Sequence, residues 1–320
     1  MKKLEVVNFL KGFSIFTIVL MHLVQSYNLP SILMKASSLG GAGVHVFILC
    51  SGFGLYLSNT YKKLSYFQFL KRRFSKVYIP YIVVVLISAL YYGICCKQNV
   101  LLPVLGSVFL FKMFVPSLEG AFGIQMWFVS TIIQFYLVFP LIVKLFNQKW
   151  GGQISLLISL VWATFTTLIG LDDERIWNSF FLQYLWEFVL GMWFAKRYMV
   201  EGKLEMPSFK ILIPICILGL GLTGALGIIG GFLKSYNDAF SLIGYTSLLL
   251  IIYKFGIKYV NAFFEYTNKI SYEWYLLHIL VFDIYFKYIQ SYTTSFCSMP
   301  ILLLVSYFTA IVFNKLIKTF

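Results

Sequence analysis

NFLKGFSIFTIVLMHLVQSY, residues 8–27, decides how this chain is read. Between Lys11 and His22 lie ten residues, of which only Ser14 and Thr17 are polar. An apolar run of about 20 residues is the length a helix needs to cross a hydrocarbon core ~30 Å thick. Ionisable groups inside such a run are costly, and they point to function by default. Lys11 and His22 are eleven residues apart. At ~100° and ~1.5 Å per residue, that is ~20° past three full turns and ~16 Å along the axis. The spacing therefore predicts both groups on one helix face, Lys11 near the cytoplasmic end and His22 about five residues from the external end.

The same kind of run recurs along the whole chain. Of 320 residues, 60% are hydrophobic, 19% aromatic and only 12% charged, too few polar groups to cover a soluble domain of this size. Spans are expected at roughly 8–27, 40–58, 77–95, 124–146, 152–170, 178–196, 210–230, 239–257, 270–290 and 299–317. The runs are continuous rather than alternating, which excludes a β-barrel. The expected fold is an all-α polytopic transmembrane helical bundle of about ten spans. It forms a single membrane-embedded domain over residues 1–320 with no soluble domain.

The net charge of +14 would suggest nucleic acid on a soluble protein. Here it matches the excess of Lys and Arg on cytoplasmic loops, and no nucleic-acid partner is expected. The lipid bilayer is the expected surrounding. A basic cytoplasmic face also attracts anionic cofactors and lipids.

The same rule orients the chain. If the N-terminus is inside and the apolar stretch 101–114 does not cross, the inner loops collect Lys62, Lys63, Lys71, Arg72, Arg73, Lys76, Lys144, Lys149, Lys196, Arg197, Lys203, Lys210, Lys254, Lys258 and Lys269. The acidic LDDER (171–175) then falls outside, 96–123 becomes an external loop that is partly interfacial or re-entrant, and both termini are cytoplasmic. The N-terminal run lacks a clear small-x-small cleavage site and reads as a retained first helix. The polar linker 200–210 is a possible divide between a front half of six helices and a back half of four. The cysteines Cys50, Cys95, Cys96, Cys216 and Cys297 lie mostly in or beside apolar runs and show neither metal-ligand spacing with a His nor a disulfide framework.

Several further polar groups lie where lipid should be. The second span, GGAGVHVFILCSGFGLYLS (40–58), carries His45 about five residues below the external surface. That is the predicted depth of His22, so the two imidazoles are candidates for one site. Ser51 lies near mid-membrane, and the glycines of this span suit close helix approach. The inner loop YKKLSYFQFLKRRFSKVYIPY (61–81) gathers Lys71, Arg72, Arg73 and Lys76 within about one and a half helical turns. Arg offers a bidentate fork and Lys a point charge, so such a cluster suits phosphates. Anchoring to anionic lipid is the plainer alternative, as snorkelling is for Lys11. Gln134 lies in MWFVSTIIQFYLVFP, and Glu187 is expected near the middle of the sixth span. NKISYEWYLLHILVFD brings Glu273, His278 and Asp283. Carboxylates at such depth must be paired or neutralised. The chain has no P-loop, GxGxxG, zinc spacing or GxSxG elbow. No metal site is expected.

Taken in order, these segments resemble the membrane acyltransferase 3 family, bacterial integral-membrane O-acyltransferases of cell-surface carbohydrates. The opening stretch is similar to the family's basic residue, ten residues, then His. GVHVFILCSGF (43–53), KRRFSKVYIPY, WFVSTIIQFYLVFPL, WEFVLGMWFAK and KISYEWYLLH resemble its other segments, from residue 8 to about 280. The chain departs from the family pattern at Asn8 and His45, where Asp is common or frequent, and at Lys11 and Lys76, where Arg is usual. Ile79 stands in place of a Pro.

The resemblance implies transfer of an acyl group, most often acetyl from acetyl-CoA, to a carbohydrate hydroxyl at the outer face of a bacterial cytoplasmic membrane. Acetyl-CoA or another acyl-CoA would be the donor substrate, with no permanently bound cofactor. Lys11, Lys71, Arg72, Arg73 and Lys76 would hold its phosphates, and His22 would be the general base, since imidazole titrates near neutral pH. The tetrahedral oxyanion needs donors. His45, Ser51, Gln134 and His278 are the candidates, and Glu187 joins the catalytic set. A transporter or flippase for a lipid-linked sugar would use the same charged face as a substrate path. The sequence fixes neither the acceptor sugar nor the oligomeric state.

Overall fold

The computed structural model describes residues 4–27, 29–172, 174–289 and 298–319, and among them there is no strand. The helices are α1 (Glu5–Gln25), α2 (Ser31–Ser38), α3 (Gly43–Tyr61), α4 (Tyr66–Leu90), α5 (Leu101–Val108), α6 (Trp127–Phe146), α7 (Gly151–Leu168), α8 (Arg175–Asn178), α9 (Leu185–Glu201), α10 (Phe209–Ile229), α11 (Asn237–Lys254), α12 (Lys258–Thr267), α13 (Ser271–Tyr288) and α14 (Ser298–Lys318). Cys297 and nearly all of the predicted loop 291–298 lie outside the described residues. The protein is an all-α polytopic bundle.

Among the described residues, seven helical segments are long and apolar enough to cross a membrane: Glu5–Gln25, Ser31–Tyr61, Tyr66–Cys95, Ile124–Phe146, Gly151–Leu168, Phe209–Ile229 and Ser298–Lys318. The other three expected spans correspond to α9, α11 and α13, which are 17, 18 and 18 residues long. These three carry Glu187, Asp238, and Glu273 with His278 and Asp283.

Three boundaries differ from the sequence reading. The basic stretch 61–81, read as a loop, is helical from Tyr66. Ser65 caps it: its hydroxyl accepts from the Gln68 N–H at 3.3 Å, and Gln68 Oε1 accepts from the Ser65 N–H at 3.2 Å. Second, α9 starts at Leu185 rather than 178, so Glu187 stands in its first turn, not near its middle. Third, the connection 258–269, expected as an inner loop, contains α12. The stretch 101–114 holds the eight-residue α5, ~12 Å long and too short to span, and a short 3-10 turn at Lys112–Phe114.

By its contacts the chain divides into two units, residues 1–54 with 190–320 and residues 55–189. The 200–210 linker does not mark this division. In the first unit, α1 is gripped from several directions. A Cβ at Gly12 would fall 1.8 Å from the carbonyl oxygen of Phe264, so α12 lies directly against α1. Asn8 Oδ1 accepts from Asn268 Nδ2 at 2.9 Å at the same end. The α10–α11 pair closes at Gly219 and Gly244, where an added Cβ would stand 2.5 Å from the facing backbone. Small residues at such crossings allow close helix approach. The second unit is built on aromatic stacking: Phe69 on Phe139 at 5.1 Å and Phe135 on Phe188 at 4.4 Å.

Candidate active site

The first unit holds the histidines. Glycines set the register of α3 on α1. Gly40 lies against Thr17, and a Cβ at Gly43 would meet the Ser14 carbonyl oxygen at 2.8 Å. The Lys11 ammonium is 5.9 Å from the Phe47 ring centroid. The two helices therefore run antiparallel, with the start of α3 beside the middle of α1. Gly43 rests on Ser14, eight residues before His22, so the His45 backbone lies ~12 Å or more from the level of His22 along α1. The expectation that His22 and His45 share one depth is corrected: the turn at 39–42 feeds α3 in alongside mid-α1 rather than at its end.

Each imidazole instead has a partner from the C-terminal part of the chain. His22 Nδ1 is 2.8 Å from His278 Nε2, and the rings meet edge to edge, with centroids 5.0 Å apart and planes 14° apart. His278 is fully buried, and its Nδ1 is 3.0 Å from the carbonyl oxygen of Trp274, one turn earlier in α13. That turn is fixed from outside: the Trp274 indole N–H donates to Ser306 Oγ at 3.0 Å, and its ring meets Tyr307 edge-on at 4.9 Å. His45 Nε2 lies 3.6 Å from Asp238 Oδ1. A hydrogen bond joins Thr17 and Tyr245 midway along α1. Ser51 donates its hydroxyl to the Phe47 carbonyl of its own helix at 2.7 Å. This engages the proton it was expected to offer an oxyanion.

The second unit holds the cations. Lys71, Arg72 and Lys76 are exposed on the early turns of α4, whereas Arg73 is half-buried. The Arg73 guanidinium lies 5.8 Å from the Phe69 ring centroid. Its Nε is buried without a hydrogen-bond partner, and no carboxylate pairs with it among the described residues. Gln134 Oε1 accepts from the Phe181 N–H at 3.2 Å, which fixes the amide. Glu187 is fully buried at the start of α9, where the helix dipole favours an anion. Beside it, the Trp186 N–H donates to Ser159 Oγ at 3.2 Å. In the connection between α5 and α6, Lys112 is buried and donates to the carbonyls of Ala121 and Gly123, the latter at 3.2 Å. Burial pushes its ammonium down to about 7, with Glu119 acting in the opposite direction.

Sequence reasoning missed Asp238. The available signal was its place directly ahead of the apolar run 239–257. Nothing in the sequence pointed to the Trp274 carbonyl.

A fully buried imidazole and two partly buried ones, within a bundle of apolar helices, mark a polytopic membrane protein with ionisable groups in its interior. The family model for the acyltransferase 3 domain, described as an acyltransferase domain, matches residues 4–315, and the chain belongs to that family. It is a membrane acyltransferase. No curated protein and no solved structure matches it.

Proposed function

We propose that this enzyme moves an acyl group, acetyl in the first instance, from acyl-CoA to a hydroxyl of a cell-surface or lipid-linked carbohydrate, within a bacterial cytoplasmic membrane. The observation that carries the reading is the His22 imidazole, held at Nδ1 by a second ring 2.8 Å away inside an apolar bundle. Such a group suits general base work on a hydroxyl.

In the proposed step, His22 takes the acceptor's proton as the hydroxyl oxygen bonds to the thioester carbonyl carbon. Collapse of the tetrahedral intermediate breaks the C–S bond, and the proton on His22 passes to the departing thiolate. The oxyanion requires an N–H or O–H donor. His45, with Asp238 beside it, is set ~12 Å or more from the level of His22 along α1, which separates it from this step.

For the anionic end of the donor, the reading relies on Lys71, Arg72, Arg73 and Lys76. Arg73 gives the strongest support, because a half-buried guanidinium without an acidic partner leaves its donors available to an anion. Lys11, over Phe47, is the proposed cation of the first unit.

The test is purified enzyme in lipid nanodiscs with isotopically labelled acetyl-CoA and candidate glycans. Label is expected in an ester on the glycan. Mass analysis of surface glycans with and without the intact gene should show an acyl mass difference. Identical glycans, together with no label transfer from any acyl-CoA, would reject the proposal.

A further inference from the structure

We infer that His278 is a positioning residue: it locks His22 in the tautomer that carries hydrogen on Nδ1, so that Nε2 of His22 is the nitrogen that receives the acceptor's proton. This rests on the reading of His22 as the general base.

The argument is a count of donors and acceptors. A carbonyl oxygen only accepts, so the 3.0 Å contact between Trp274 O and His278 Nδ1 requires hydrogen on that nitrogen. A neutral imidazole carries one N–H, so His278 Nε2 then presents a lone pair. The 2.8 Å contact from that lone pair to His22 Nδ1 requires His22 to be the donor. His22 in turn keeps its lone pair on Nε2. The chain reads backbone carbonyl, His278, His22, with every hydrogen assigned by the group before it. Which ring nitrogen is protonated is set by the hydrogen bond the other one makes.

Two consequences follow. With its single N–H committed to Trp274, the neutral His278 ring has none left for an oxyanion, so its expected role as an oxyanion donor is replaced by orientation. The orienting group is also uncharged. A carboxylate in that place would stabilise the imidazolium formed during turnover as well as orient it. An imidazole lone pair orients His22 and accepts its hydrogen without adding a negative charge to a buried site.

The positions are well fixed for this task. Trp274 is 1% exposed and tied to Ser306, and His278 meets the Phe282 ring edge-on at 5.7 Å.

The chain contains three histidines, which makes a direct test practical. Protein labelled with ring-¹⁵N histidine, in lipid nanodiscs, gives three imidazole spin systems, assigned with H45Q and H278Q. Both His22 and His278 are expected with hydrogen on Nδ1. In H278L, His22 is expected to move to the form with hydrogen on Nε2, which free histidine favours. A His22 found with hydrogen on Nε2 in the unaltered protein would overturn the inference.

The kinetic arm uses two variants. H278L should lower kcat about 10²- to 10⁴-fold with KM for donor and acceptor unchanged, the scale of a lost tautomer lock. H278Q keeps an acceptor oxygen near the position of Nε2 and should recover kcat to within about tenfold of the unaltered enzyme. Unchanged kcat in H278L, or H278Q as slow as H278L with both proteins folded by circular dichroism, would also overturn it. If H22A retained turnover, the base assignment would fall, while the NMR arm would still decide whether His278 sets the tautomer of His22.

Discussion

His22 and His278 are 256 residues apart in sequence and 2.8 Å apart in space, whereas Lys71, Arg72, Arg73 and Lys76 follow one another on the early turns of a single helix. The first arrangement exists only while α1 and α13 keep their register, so it inherits the packing of both helices. The second needs only that α4 be helical, which the Ser65 cap and local propensity secure. In one region the two rings are packed, His278 fully buried and His22 partly so, and their nitrogens meet at 2.8 Å. The other is mostly wet, with one guanidinium drawn inward. The difference separates two kinds of requirement. A base must be oriented to a fraction of an ångström, while an anion-binding patch tolerates side-chain freedom because Coulomb attraction varies slowly with distance.

That contrast can be broken or sharpened experimentally. The largest effect is expected for His22→Ala, which should cut kcat by about 10³-fold or more while the protein elutes and folds as before. Initial rates at saturating donor and acceptor measure it, and near-normal turnover would remove His22 from the chemistry.

Next in size is Arg73→Met. It keeps the packing on Phe69 but removes the charge, and it should raise the donor KM about 10- to 100-fold with little change in kcat. The discriminating result is the split: a fall in kcat alone would mean that Arg73 does not bind the donor.

A smaller effect concerns the buried cation between α5 and α6. Lys112 has a folded-state pKa of about 7 against an unfolded value near 10.5. Between those values the unfolded chain binds more protons than the folded one, so the Lys112 contribution makes stability rise with pH. The gain is ~1 kcal/mol from pH 7 to pH 8, on top of whatever other groups contribute. Hydrogen exchange of residues 109–125, compared between the unaltered protein and Lys112→Met, isolates the term. Parallel pH dependences in the two proteins would refute it.

The smallest effect is expected for Lys71→Gln, an exposed member of the same cluster. Solvent screening should hold its change in donor KM to about threefold, and added salt should shrink it further. If Lys71 and Arg73 behaved alike, the distinction between a packed and a solvated cation would fail.

Much of this protein was legible without coordinates. The apolar runs predicted an all-helical bundle, because backbone polar groups in lipid must be satisfied within the segment. Six short segments in series led to the acyltransferase 3 family, to which the chain belongs. Membership places the enzyme reading ahead of a transporter. The sequence was less informative where composition was mixed. Basic residues masked the true start of α4, since Lys and Arg read as a loop yet are good helix formers. The amphipathic composition of 258–267 concealed α12 for the same reason.

Helical periodicity and hydropathy are local properties, and they determined the helices, the clustered cations and the ionisable groups at membrane depth. Which of those groups meet was decided by the tertiary structure alone. It placed His22 on His278 rather than level with His45, gave His45 the neighbouring Asp238, and committed the Ser51 hydroxyl to its own helix. Partners between helices depend on crossing points set by glycines such as Gly12, Gly40 and Gly43, where backbones close to within a side chain's width. Such contacts join segments hundreds of residues apart, and no periodicity within either segment encodes them.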